Sequence, residues 1–212
     1  MDGNGRWARS RGEERLKGHI AGVESVRAIM EASVEFGIPY VSFFAFSEEN
    51  WGRPEAEVLG LMELMLKSMK NELHNFLENG IRFLVLGNRA RLTPELNASI
   101  DDIEAKTAGG KRLTMILFLS YSGKWDIQQA ATRMAQAGAS SIEPFLVTSG
   151  IPDPDLMIRT SGERRISNYL LWQLAYAEFV FTDTLWPDFR KEEYLKALEE
   201  FASRDRRFGK VK

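Results

Sequence analysis

Helix-period segments and short β-branched runs take turns along this chain, and that alternation restricts its fold more than any other feature. Over residues 13–36, Leu16, Ile20, Val23, Val26, Ile29, Met30 and Val34 recur at three- and four-residue spacing, predicting an amphipathic helix closed by Gly37 and Pro39. Residues 40–46 are a continuous aromatic and β-branched run, the pattern of a buried strand. The alternation continues with a helix over 55–78 between Pro54 and Gly80, a strand at 81–86, a helix over 93–106, a strand at 113–119 and a helix over 125–136. Short strands at 156–159 and 179–182 and a last helix at 191–204 complete the reading. Strands separated by helices pair in parallel, so the expected fold is one α/β domain over residues 1–212, with a mostly parallel central sheet covered by helices on both faces. No repeat, low-complexity tract or long linker divides it.

Composition narrows the chemistry. Cysteine is absent and histidine occurs only as His19 and His74, which excludes disulfides, thiolate catalysis and a three-histidine zinc site. Carboxylates, amides, hydroxyls and guanidinium groups are left to do the work. The net charge of −2 argues against broad nucleic-acid binding, which needs a basic face. The longest apolar runs, at 81–87 and 115–119, fall far short of the ~20 residues of a membrane span. The opening residues form no apolar signal segment, so the expectation is a cytoplasmic protein.

In parallel sheets, ligands bind beyond the carboxyl ends of the strands, and those loops here are rich in arginine. Ser47, Glu49, Asn50, Trp51 and Arg53 follow the strand at 40–46; Arg89 and Arg91 follow 81–86; Arg159, Arg165 and Ser167 follow or end 156–159. Each arginine taken singly suits a surface ion pair. Arg159 and Arg165 with Ser167, in a loop carrying Gly162, also suit an anion such as a phosphate. Asp2-Gly3-Asn4-Gly5-Arg6 is either a tight turn or an anion cradle in which Asp2 holds Mg²⁺ against a diphosphate. His19, between Gly18 and Gly22, is either a surface residue or a further ligand of that anion. The helix over 55–78 has an apolar sector too wide for one core-facing stripe. It is packed on two sides, sits at a subunit contact, or walls a long greasy cavity.

Taken in order, the motifs resemble the cis-prenyltransferase family almost end to end. Met1-Asp2-Gly3-Asn4-Gly5-Arg6-Trp7-Ala8 is followed by Gly18-His19-x-x-Gly22 and by Phe46-Ser47-x-Glu49-Asn50-Trp51-x-Arg53-Pro54. Asp153-Pro154-Asp155-Leu156, Ile158-Arg159-Thr160-Ser161-Gly162-Glu163, Ser167-Asn168-Tyr169-Leu170-Leu171-Trp172-Gln173 and Tyr176-x-Glu178 come next, then Trp186-Pro187-Asp188-Phe189 and Arg206-Arg207-Phe208-Gly209.

The resemblance implies a Mg²⁺-dependent, homodimeric enzyme with a hydrophobic tunnel. It would condense isopentenyl diphosphate repeatedly onto an allylic diphosphate, usually farnesyl diphosphate, forming each new double bond in cis. The product would be a long polyprenyl diphosphate such as undecaprenyl diphosphate, a lipid carrier precursor for cell-wall synthesis, with peripheral contact at the inner face of the membrane. On this reading Asp2 holds the metal and is catalytic with Asn50. Gly3, Asn4, Gly5, Arg6, Arg15 and His19 belong to the allylic diphosphate, Trp7 is a further substrate-binding residue, and Arg159, Arg165 and Ser167 grip isopentenyl diphosphate. Ser47, Glu49, Asn50, Trp51 and Arg53 lie on the loop that closes over substrates, Glu178 helps coordinate metal across the dimer, and Arg207 with Gly209 reaches the partner's site.

Two departures stand out. The family has an apolar strand immediately before the aspartate that is Asp2 here, so that strand lies outside this sequence or another element replaces it. Phe118 and Leu119 stand where small residues are commoner, which predicts a narrower tunnel. Two other classes compete: a non-catalytic partner subunit of the same family, and a nucleotide-binding α/β enzyme, which has only the Gly-x-Gly turn in its favour.

Overall fold

The structure is a computed structural model and describes residues 1–205. Its regular elements are α1 (Asn4–Arg9), α2 (Arg15–Glu35), β1 (Tyr40–Ser47), α3 (Glu55–Glu78), β2 (Ile81–Leu86), α4 (Pro94–Thr107), β3 (Leu113–Tyr121), α5 (Gly123–Gln136), β4 (Leu156–Arg159), β5 (Glu178–Phe181) and α6 (Lys191–Ala202). At two helix starts a side-chain cap sets the boundary. The Ser122 hydroxyl accepts the Trp125 N–H at 3.2 Å and so starts α5 two residues before Trp125. Thr93 caps α4 in the same way from Leu96 at 3.2 Å. Helix α1 was unexpected: Gly3, at φ 106°, turns the chain so that the Trp7 N–H reaches the Gly3 carbonyl at 2.9 Å. Residues 48–52, read as loop, wind into a short 3₁₀ turn.

All strand pairings are parallel, but the sheet is divided. One sheet has the order β1-β3-β2 and the other pairs β4 with β5. The expected single sheet therefore splits between β1 and β4, each an edge strand.

Strand β3 explains why helices cover both faces. Its Leu113, Met115, Leu117 and Leu119 pack into the core shared with α2, α3, α4 and α6, whereas Ile116, Phe118 and Tyr121 face a second cluster with Trp125, Leu170 and Leu174. Successive side chains on a strand point oppositely, so Phe118 and Leu119 do not narrow one tunnel together. Phe118 is locked edge-to-face against Tyr121 at 4.6 Å and Tyr169 at 5.2 Å.

A cavity of about 1090 Å³ opens between α2, α3 and the two edge strands. Six consecutive residues of β1, 40–45, and all four of β4 line it. Since side chains alternate, an unbroken run means that the strand edges themselves border the space. No helix among the described residues is long and apolar enough to cross a membrane.

Candidate active site

The cavity's mouth is built where β4 ends and α1 begins. Asp2 is held by its backbone: the Thr160 hydroxyl accepts the Asp2 N–H at 2.8 Å, and the Asp2 carbonyl accepts the Trp186 N–H at 2.9 Å. That leaves the carboxylate free to turn towards the rim. One oxygen accepts the Gly3 N–H at 2.8 Å and the other accepts Arg159 Nη2 at 3.1 Å. Burial pulls the Asp2 acid upward, but the Arg159 guanidinium and the Gly3 N–H outweigh it and hold it below the usual carboxylate range. Arg159 Nη1 also donates to Ser167 Oγ at 2.8 Å and to the Arg165 carbonyl. On the far side of Asp2, Arg6 approaches the same carboxylate at 4.0 Å and bonds Ser161 and Glu163.

Positive φ angles shape the loop after β4: Ser161 at 74°, Gly162 at 74°, Ser167 at 49° and Asn168 at 62°. With Leu170 at 44°, five left-handed residues are held in one loop by the structure around them, and Arg159, Arg165 and Ser167 all line one space.

Helices α1 and α2 supply the other half of the rim, and two glycines make their approach possible. A methyl group at Gly18 would stand 2.0 Å from the Asn4 carbonyl oxygen, and one at Gly22 would stand 2.5 Å from Asn4 Oδ1 and 2.9 Å from the Trp186 ring. The Gly18-x-x-x-Gly22 spacing is thus a helix-crossing device. Trp186 secures it, donating from its indole to the Gly22 carbonyl at 2.9 Å and accepting at its own carbonyl from Ser25 at 2.8 Å.

Two buried polar atoms at this crossing have no hydrogen-bond partner: Asn4 Oδ1 and His19 Nε2. Such groups are costly unless something satisfies them, and both residues line the cavity. Burial, reinforced by Arg53 and Arg15, pushes the His19 imidazole down to about 4. Arg15 and Arg53 share Glu57 Oε1, each at 3.1 Å.

Asp2, Gly3, Asn4, Gly5, Arg6, Arg15 and His19 all line the cavity, as do Ser47, Asn50, Arg53, Arg159, Arg165 and Ser167. Other residues expected at the site lie elsewhere. Trp7 points away, donating to Asp188 at 2.7 Å with Arg11 stacked over its ring at 4.0 Å. Glu49 accepts the Asn168 amide at 2.6 Å, and Trp51 donates to Ser120 Oγ at 2.9 Å. Both brace the loop from behind. Glu178 pairs with Leu156 at the opposite end of β4 from Arg159 and binds Arg204 at 2.9 Å, so within one chain it does not join Asp2. Arg207 and Gly209 lie outside the described residues. Thr160 and Trp186, which hold the Asp2 backbone, stand in the motifs quoted from sequence but were given no role there; a hydroxyl directly after Arg159 was the available signal.

Asp2 is the rim carboxylate that reaches both Arg6 and Arg159, and among the described residues no cluster of three His, Asp or Glu side chains forms a protein-built metal cage. The fold and the rim together define an α/β protein in which a cationic rim at the sheet ends opens onto a cavity with a mostly apolar α2–α3 wall.

The sequence profile described as "Putative undecaprenyl diphosphate synthase" matches residues 1–209. The isoprenyl transferase of Chlorobaculum tepidum is 47% identical over 100% of this chain and 84% of its own length. The Pseudomonas aeruginosa ditrans,polycis-undecaprenyl-diphosphate synthase ((2E,6E)-farnesyl-diphosphate specific) is 48% identical over 100% and 88%. Among solved structures, lavandulyl diphosphate synthase from Lavandula x intermedia, in complex with dimethylallyl diphosphate, superposes with a TM-score of 0.94 at 33% identity, over 99% of this chain and 95% of that one. A probable undecaprenyl diphosphate synthase from Campylobacter jejuni gives 0.83 at 34%, over 90% and 92%. The chain belongs to the undecaprenyl diphosphate synthase family of prenyltransferases.

Proposed function

We propose that the protein elongates an allylic diphosphate, farnesyl diphosphate by preference, with successive isopentenyl units in cis. The observation that carries this is the junction of Asn4 Oδ1, His19 Nε2 and the arginine rim with a cavity of about 1090 Å³ whose α2–α3 wall is mostly apolar. In each cycle the allylic C–O bond breaks, a C–C bond forms to the isopentenyl alkene, and that unit loses a proton. Charge gathers on the leaving diphosphate. Donors fixed beforehand by the fold stabilise that charge more than the ground state.

Asn4, Arg6, Arg15 and His19, with the Gly3 and Gly5 backbone, hold the allylic head; Arg159, Arg165 and Ser167 hold the isopentenyl head. Asp2 lies between the two groups, touching Arg159 and facing Arg6. Bound there, Mg²⁺ would neutralise charge on the leaving diphosphate. Asn50, whose side chain caps the Ser47 N–H at 3.1 Å, keeps the covering loop in place. Each CH₂ buried in the cavity contributes ~0.8 kcal/mol, which holds the growing tail while its head stays at the rim.

A homodimer belongs to the same proposal. Trp172, Tyr176 and Phe181 are exposed aromatic side chains suited to a second copy, through which Glu178, Arg207 and Gly209 would act. Exposed Leu16, Ile20 and Leu59 near the mouth suit product handover at a lipid surface.

Farnesyl diphosphate, labelled isopentenyl diphosphate and Mg²⁺ should yield a long butanol-soluble product. A folded preparation that yields none refutes the reading and leaves the partner-subunit alternative.

A further inference from the structure

Beyond His19, the cavity wall contributed by α2 and α3 is apolar except for Ser68 and one ion pair. Among the described residues, Arg27 and Glu72 are the only charged side chains these helices give it at that depth, and they bind each other. Arg27 donates from Nε to Glu72 Oε1 at 3.0 Å and again from Nη2. Asn75 donates to the other Glu72 oxygen at 3.1 Å, and Glu24 accepts from Arg27 Nη1 at 2.8 Å. The Glu72 side chain is only 11% exposed, whereas Arg27 keeps 38% in water.

The position matters as much as the charge. Arg15 and Glu57 join the same two helices at the mouth, at 3.1 Å. Arg27 lies twelve residues further along α2 and Glu72 fifteen further along α3, or about 18 and 22 Å at 1.5 Å per residue. One turn beyond, Met30 and Phe76 still line the cavity, so space continues past the pair.

We propose that the Arg27–Glu72 pair is a polar stop in the cavity wall that limits how long a prenyl chain the interior accepts. This rests on the elongase reading above. A hydrocarbon tail that reaches the pair strips water from both charges and offers no hydrogen bond in return. Further extension becomes unfavourable at that depth while every shorter chain is accommodated.

The test compares product lengths by mass spectrometry at matched consumption of isopentenyl diphosphate. The double variant Arg27→Met/Glu72→Leu removes both charges together and leaves no orphan. Its products should shift longer by one or more isoprene units, whereas Arg27→Lys/Glu72→Asp, which keeps the charges, should retain the parental length. A merely structural pair would change melting temperature and rate but not the length distribution. Unchanged or shortened products from the folded double variant overturn the assignment. If that variant does not fold, Glu72→Gln serves in its place, with lengthening expected and an unchanged distribution overturning. A parent that forms no elongated product sinks both readings; a parent that elongates beside an unshifted variant sinks only this one.

Discussion

The Asp2 carboxylate and the Arg159 guanidinium meet at 3.1 Å although 156 residues separate them in the chain. Their backbones are joined as well, through Thr160, so the contact is set by the fold and not by two flexible side chains. Asp2→Asn keeps this backbone frame and removes the charge. Turnover should fall roughly 10²–10³-fold, the usual cost of losing one transition-state electrostatic partner. Circular dichroism and melting temperature should stay near parental values; an Asp2→Asn protein with full turnover contradicts the role.

His19 ties stability to pH. Its folded value of about 4 lies below the ordinary 6.5, so the unfolded chain takes the proton first. Stability contributed by His19 should therefore rise as pH increases from about 4 to 6.5 and then level off. Urea midpoints across this range should show the slope, and His19→Gln should flatten it.

Gly18→Ala should force α1 off α2, because the new methyl meets the Asn4 carbonyl at 2.0 Å. Overpacking of this kind costs ~1–3 kcal/mol. Denaturant unfolding measures the loss, and diphosphate affinity should weaken with it, since Asn4 and His19 sit on the two displaced elements.

Trp51→Phe would keep the edge-to-face contact with Phe46, 5.1 Å between centroids, and delete the indole donor to Ser120. Ser120 also donates to Glu48 at 2.7 Å, so the covering loop loses one of its anchors. A stability loss of about 0.5–1.5 kcal/mol is expected. KM for the isopentenyl substrate should rise more than kcat falls, which steady-state kinetics will resolve.

Most of the architecture was legible in the sequence because its helices and strands carry clean periodicities. The helix over 55–78 and the strands at 81–86 and 156–159 match their observed bounds. Helix α1 was hidden because its glycines and Asn4 read as turn chemistry, and only the packing against Gly18 and Gly22 shows why small residues are needed there. The strand expected before Asp2 was already noted as missing from this sequence, but which of the remaining strands pair is a long-range property that no local pattern encodes. At the site, arginine spacing pointed to the rim, yet nothing local distinguished Trp7 and Trp51, which serve as braces, from residues that face the cavity. Burial and direction decide that, and both come from tertiary contacts.

Helix α2 carries His19 at one level and Arg27 two turns deeper, and the glycine crossing fixes α1 to the same rod. Zero mark and graduation are therefore cut on a single rigid scale. The His19-to-Arg27 distance is then set by one helix alone, and the bonds from Arg27 to Glu72 bring α3 to the same mark.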